Sequence, residues 1–128
     1  MHNSTSFTLD RVMAECWTAG FKAGIDAATI VKVFNEAARG QMMSLKVRLP
    51  GTYLRGDFEP RFSLALARKD LGLAQELAGA TDTPMPLSNL CEKEMIEAMA
   101  RGWANRDASI FLTLQEERAD VQVRLPPA

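Results

Sequence analysis

Histidine is nearly absent from this chain. His2 is the only one in 128 residues, and the only cysteines are Cys16 and Cys91. A closed zinc site needs four Cys or His ligands at short spacings, so structural zinc is excluded and no metal ligand is assigned. The two cysteines fall on separate predicted helices with no CxxC, and read as two thiols inside a cytoplasmic protein. Excess charge is absent too. Fifteen Lys and Arg meet sixteen Asp and Glu, for a net charge of -1, and neither sign gathers in one half. That balance argues against nucleic acid as a partner, because phosphate binding needs a basic face. No apolar run is long enough to span a bilayer, so no membrane partner is expected, and His2-Asn3-Ser4-Thr5-Ser6 is too polar for a signal peptide. The eight glycines never take a GxGxxG or phosphate-loop spacing. No GxSxG elbow occurs, and no carboxylates recur at metal-ligand spacing. A self-contained enzyme is not written in these residues.

What the chain does have is apolar surface at helical spacing. With 47% hydrophobic residues it is expected to fold around one core. The most informative stretch runs from Arg61 to Ala78, between Pro60 and Gly79, a helix start and a helix stop. Stepping about 100° per residue from Phe62, Leu73, Leu66 and Leu77 fall within about 60°, Ala74 near 120°, and Leu64 and Leu71 near 180–200°. So wide an arc predicts a helix packed on more than one side. Lys69 falls at the border beside Phe62 and Leu73, and Asp70 between Leu77 and Ala74. A charge in an apolar arc is costly unless it is paired or faces a wet cleft. Two readings stay open: a salt bridge that fixes packing, or an ammonium offered to an anion.

The remaining chain reads as helices in order. Residues 4–23 form the first, with Ser4, Thr5 and Ser6 as N-cap choices, Asp10 in a structural hydrogen bond or ion pair, and Gly20 at a close helix contact. Asp26 caps a second helix, residues 27–39, which Gly40 stops; Ile30, Val31, Val33, Phe34, Ala37 and Ala38 form its inner face. A short third covers residues 41–48. A loop at 49–61 follows, pinned by Tyr53, Leu54 and Phe58. Lys46, Arg48 and Arg55 read as solvated charges, with an anionic site as the alternative. After a turn at 81–86, a fifth helix covers residues 87–101. Residues 103–106 link it to a last helix, residues 108–119, capped by Asp107. Residues 1–120 therefore make one all-α domain of six helices. Residues 121–128 make a tail whose Val121, Val123 and Leu125 alternate with polar residues, an extended strand resting on the body or on a partner chain.

Several short motifs occur in order along this frame. Lys69-Asp70-Leu71-Gly72-Leu73-Ala74 is similar to the KDLxLA signature of the β-hydroxyacid dehydrogenases, the family of 3-hydroxyisobutyrate and tartronate semialdehyde dehydrogenases. Glu15 with Ala19-Gly20-Phe21-Lys22-Ala23-Gly24-Ile25-Asp26 resembles that family's first hairpin. Asp57-Phe58-Glu59-Pro60-Arg61-Phe62 resembles the lead-in to its KD helix, and Pro84-Met85-Pro86-Leu87 its P-x-P-L turn. Gly102-Trp103-Ala104-Asn105-Arg106-Asp107-Ala108-Ser109 resembles the start of its final helix. Together these cover nearly the whole chain.

The resemblance implies a C-terminal helical domain like that of 6-phosphogluconate dehydrogenase, without the family's Rossmann domain. In the family that domain carries NAD or NADP, and a GxGxxxKxxxN signature opens the helical domain. Counting back from Glu15, Asn3 lands on the substrate-binding asparagine, while the catalytic lysine falls before Met1, so no catalytic residue is assigned here. Lys69 matches a second lysine near cofactor and substrate, and Asp70 its structural partner. The implied function is the substrate-binding and dimerisation domain of an NAD(P)-dependent 3-hydroxyacid dehydrogenase, inactive alone and binding no cofactor tightly by itself. Its partners would be a small hydroxyacid and a second copy in a homodimer. The alternative is a free-standing helical interaction module that has lost the chemistry.

Overall fold

The computed structural model describes residues 2–36, 44–80, 82 and 84–126, and only the backbone of residues 15, 16, 19 and 45. It is helical, as the sequence predicts. The expected stop at Gly40, the inner-face roles of Ala37 and Ala38, and the first residues of the third helix lie outside the described residues. So do Thr81, Thr83 and the Cys16 side chain.

Helix α1 (His2–Lys22) touches α2 (Ala27–Glu36), α4 (Leu64–Ala80), α5 (Pro86–Ala98) and α6 (Thr113–Ala119). It starts before Ser4, so the three hydroxyl residues lie within the helix and do not cap it. Ser4 is instead buried, with its Oγ 2.5 Å from Ser88 Oγ on α5. Gly20 allows the close approach expected of it: a Cβ there would meet Ile30 Cδ1 of α2 at 3.2 Å. Gly24, at φ +92, turns the chain where an L side chain would be strained. Asp26 then caps α2, accepting from the Thr29 amide at 2.9 Å and the Thr29 hydroxyl at 2.6 Å. Ile30 and Val31 face inward, but Val33 is exposed. It sits two residues past Val31, about 200° round the helix.

Where a short third helix is expected, the structure has a π turn (Ser44–Arg48), and the 49–61 loop is more regular than expected, with the short helix α3 (Leu49–Gly51) and a 3-10 turn (Tyr53–Arg55). Leu49, Thr52, Tyr53 and Leu54 are buried, and the Thr52 hydroxyl donates to the Arg48 carbonyl at 2.8 Å. Tyr53 stacks on Trp17, with ring centroids 6.2 Å apart.

The central helix begins at Leu64, three residues later than Pro60 suggests. The cause lies far along the chain. The buried Asp107 carboxylate accepts from the amides of Arg61 and Phe62 at 3.2 and 3.3 Å, and the Ala108 amide donates to the Phe62 carbonyl at 2.8 Å. Ser63 and Asp107 pair as an antiparallel bridge. Residues 61–63 are thereby held out of the helix, and the Leu64 amide donates to the Arg106 carbonyl at 2.9 Å.

Helix α5 continues as a π turn (Met99–Trp103), and Gly102 at φ +84 ends it. Asp107 caps the next element, accepting from the Ser109 amide at 3.0 Å. That element is a 3-10 turn (Ala108–Leu112) leading into α6. Residues 121–126 belong to no helix or strand and rest on their own chain. Val123 is buried, its amide donating to Glu116 Oε1 at 2.8 Å, and the Leu125 amide donates to the Leu54 carbonyl at 2.9 Å. Trp17, Tyr53, Leu71, Met95 and Phe111 lie at the centre of the core.

Candidate functional site

The first turn of α1 and the middle of α4 meet where the sequence placed its candidate residues. Asn3 Nδ2 donates to Asp70 Oδ2 at 2.7 Å. Lys69 Nζ lies 3.9 Å from Asp70 Oδ1. The three residues therefore form one cluster, although 67 positions separate Asn3 from Asp70.

Their exposure corrects the helical-wheel reading. The Lys69 side chain is 62% exposed and Asp70 29%. Lys69 is not held against oily neighbours, because the side of the arc it borders is itself turned outward. Leu66, Leu73 and Leu77 are exposed, while Leu64, Ala67, Leu71, Ala74 and Ala78 are buried. Helix α4 packs on one side and leaves a leucine stripe, with Lys69 among its members, facing solvent.

Asn3 also borders two clefts. One, of about 420 Å³, lies against Asp70, Leu73, Ala74 and Leu77. The other, of about 730 Å³, lies between α1 and the Ser44–Arg48 turn, with Phe7, Leu9, Val47, Arg48 and Phe62 in its walls. Phe7 and Phe62 stack there, with ring planes 14° apart. His2 borders both clefts. Its Nδ1 is 3.3 Å from the Asn3 carboxamide oxygen.

The basic residues do not converge as the anionic-site alternative requires. Arg55 turns to the tail and donates to the Pro126 carbonyl at 3.3 Å. Lys46 is exposed and lines neither cleft. Arg48 alone reaches a cleft wall. It ion-pairs with the fully buried Asp10, which is the structural pair expected of Asp10, and its guanidinium lies 5.4 Å from the centre of the Phe7 ring. Burial pulls the Arg48 guanidinium below its usual range, and the charge of Asp107 opposes that pull. The Arg48–Asp10 partnership is not legible in the sequence, because nothing local joins two residues 38 positions apart.

In chemical terms the cluster offers a carboxamide held by a carboxylate, an ammonium in solvent and an arginine at an apolar cleft. Among the described residues, no group of three His, Cys, Asp or Glu is placed to hold a metal ion. No described helix is long and apolar enough to cross a membrane.

Residues 2–114 match a family model described as "NAD-binding of NADP-dependent 3-hydroxyisobutyrate dehydrogenase". The chain belongs to this family. Among its relatives, the 3-sulfolactaldehyde reductase of Escherichia coli is 30% identical over 112 residues, covering 88% of this chain and 37% of the relative. The mitochondrial 3-hydroxyisobutyrate dehydrogenase of Mus musculus is 30% identical over 111 residues, covering 81% and 33%. The solved 3-hydroxyisobutyrate dehydrogenase of Mycobacterium tuberculosis, with L-serine, superposes with a TM-score of 0.76 at 26% identity, covering 88% of this chain and 40% of that one. This member of the 3-hydroxyisobutyrate dehydrogenase family thus spans little more than a third of the length of the relatives it matches.

Proposed function

We propose that the chain is the helical, C-terminal, substrate-binding and dimer-forming domain of an NAD(P)-dependent 3-hydroxyacid dehydrogenase. The observation that carries this reading is the Asn3–Asp70 hydrogen bond at the edge of two clefts. A carboxamide has two N–H donors and one carbonyl. Asp70 engages one donor and so fixes the plane of the group, leaving the other donor to meet a hydroxyl or carboxylate. The dinucleotide, when bound, takes the hydride. This chain has no glycine-rich phosphate loop, so its own part is to bind and orient the acid. Lys69, exposed beside Asp70, supplies a positive charge toward cofactor and substrate held on a neighbouring domain.

The test is a titration of the 15N-labelled chain with 3-hydroxyisobutyrate up to about 50 mM, the range of weak binding. The expected result is saturable shifts at the amides of Asn3, Lys69 and Asp70. Asn3→Ala should weaken binding by about tenfold, the worth of one good hydrogen bond. Shifts that do not saturate, or that persist unchanged in Asn3→Ala, overturn the reading.

The leucine stripe of α4 favours a second reading, a helical interaction module that keeps the fold without the chemistry. Under that reading the titration is silent while the chain still self-associates.

A further inference from the structure

Resting on the hydroxyacid reading, we propose that the cleft between α1 and the Ser44–Arg48 turn selects acids whose side group is apolar and much larger than a methyl, with Arg48 as the specificity-determining cation. Three observations carry this. The first is size. At about 730 Å³ the cleft is on the scale that encloses a drug-sized ligand, roughly 300–1,000 Å³. A four-carbon hydroxyacid would leave most of it to water.

The second is the character of the walls. Leu9, Val47 and the partly buried Phe62 line the cleft, with the buried Phe7 ring stacked on Phe62. An apolar substituent laid along them removes surface from water on both sides, and an aromatic one gains ring contacts besides. Val47 is exposed, so its side chain is an open contact and not part of the packed core.

The third is charge. Arg48 is the one permanently charged side chain lining this cleft among the described residues. Asp10 holds it through Nη2, and Phe7 lies under the guanidinium. Its position is thus fixed before any ligand arrives, which lowers the cost of ordering it. Its Nη1 is buried and has no hydrogen-bond partner among the described residues, while the side chain as a whole keeps 26% of its surface exposed. A fixed positive charge at the wall of an apolar cleft attracts a carboxylate. The result is an amphipathic slot, with cation and carboxamide toward one part of the ligand and aromatic wall toward the other.

The probes are 3-hydroxyisobutyrate, 2-benzyl-3-hydroxypropanoate and the primary amide of the benzyl acid, each titrated into the labelled chain. The benzyl acid is expected to bind at least about tenfold tighter than the methyl acid, shifting the amides of Phe7, Val47 and Phe62. It should also bind about tenfold tighter than its amide. Arg48→Met alone strands the buried Asp10 carboxylate, so the test pairs it with Asp10→Asn. The double variant should keep its melting transition and lose the preference for acid over amide. Val47→Phe should weaken the benzyl acid several-fold by filling the slot, and leave the methyl acid within twofold. If methyl and benzyl acids bind alike, or the double variant keeps the acid preference, the cleft proposal falls while the hydroxyacid reading stands. If neither acid shifts Asn3, both fall.

Discussion

At the scale of single residues, the same side-chain chemistry has opposite visibility depending on sequence distance. Asp26 and Asp107 are legible as caps because each serves an amide two or three positions ahead. The second task of Asp107, holding the amides of Arg61 and Phe62, is not legible, since it joins positions more than forty apart. The resemblance gives Asn3 and Asp70 each a role in the family's site, but nothing in the sequence states that they touch. Cys91 shows a residue whose environment decides its chemistry. It is buried, and burial together with the nearby Glu94 charge pushes its thiol up to about 12. The thiolate is the reactive form. In a Cys16→Ser background, where Cys91 is the sole thiol, the folded chain should therefore react with a disulfide reagent at pH 8 at least about a hundredfold more slowly than in urea. The sign of the pH effect follows. A folded pKa above the unfolded one favours the neutral thiol, so its contribution to stability is full below about pH 9 and fades as pH rises toward 12. Equal labelling rates in buffer and urea would show that the thiol is open.

At the scale of elements, the helices themselves were readable because apolar residues recur at 3.6 spacing, and their ends shifted wherever a distant partner intervened. The wide apolar arc of α4 predicts burial on more than one side, but periodicity alone cannot say which apolar residues have a neighbour. The 49–61 segment reads as a loop in the sequence and is more regular in the structure for a related reason. Its turns are held by Thr52 and by burial of Leu49, Tyr53 and Leu54, not by repeating pattern. The sequence offers two supports for the tail, the body or a partner chain, and residues 121–126 rest on their own chain. Glu116, buried on α6, accepts from the Val123 amide at 2.8 Å and from Arg124 Nη1 and Nη2 at 2.5 and 3.0 Å. The Arg124 guanidinium lies 5.6 Å from the centre of the Tyr53 ring. One carboxylate thus fastens the tail over the 3-10 turn (Tyr53–Arg55). Glu116→Ala should cost about 2–4 kcal/mol in urea unfolding, the range for removing one partner of a buried charged network. Glu116→Gln, which still accepts from Val123, should cost less. Hydrogen exchange at Val123 and Leu125 should quicken in the alanine variant. An alanine variant as stable as the parent would mean that the tail contributes nothing to the fold.

At the scale of the whole molecule, the question is what covers the outward face of α4. The chain has almost no net charge to keep copies apart, and Leu66, Leu73 and Leu77 stand exposed on a single face at i, i+7 and i+11. Such a stripe is a candidate association surface. A second copy is the simplest occupant, because a two-fold interface uses the same patch twice. Lys69 lies on this face and Asp70 at its edge beside Asn3, so association and the candidate site are neighbours. Light scattering at about 100 µM, well above a micromolar dissociation constant, should therefore give a dimer mass. Leu73→Glu with Leu77→Glu should give a monomer that still melts cooperatively, since both side chains are already outside the core. A parent chain that scatters as a clean monomer at that concentration removes self-association from the reading. A double variant that remains dimeric moves the interface to another face of the molecule. If the monomeric variant still shows saturable shifts at Asn3 on adding 3-hydroxyisobutyrate, the acid is held by one copy's α1 and α4 alone. Because Leu73 and Leu77 also line the cleft beside Asn3, loss of those shifts assigns the site to the dimer only where Leu66→Glu, at a residue lining neither cleft, gives the same loss.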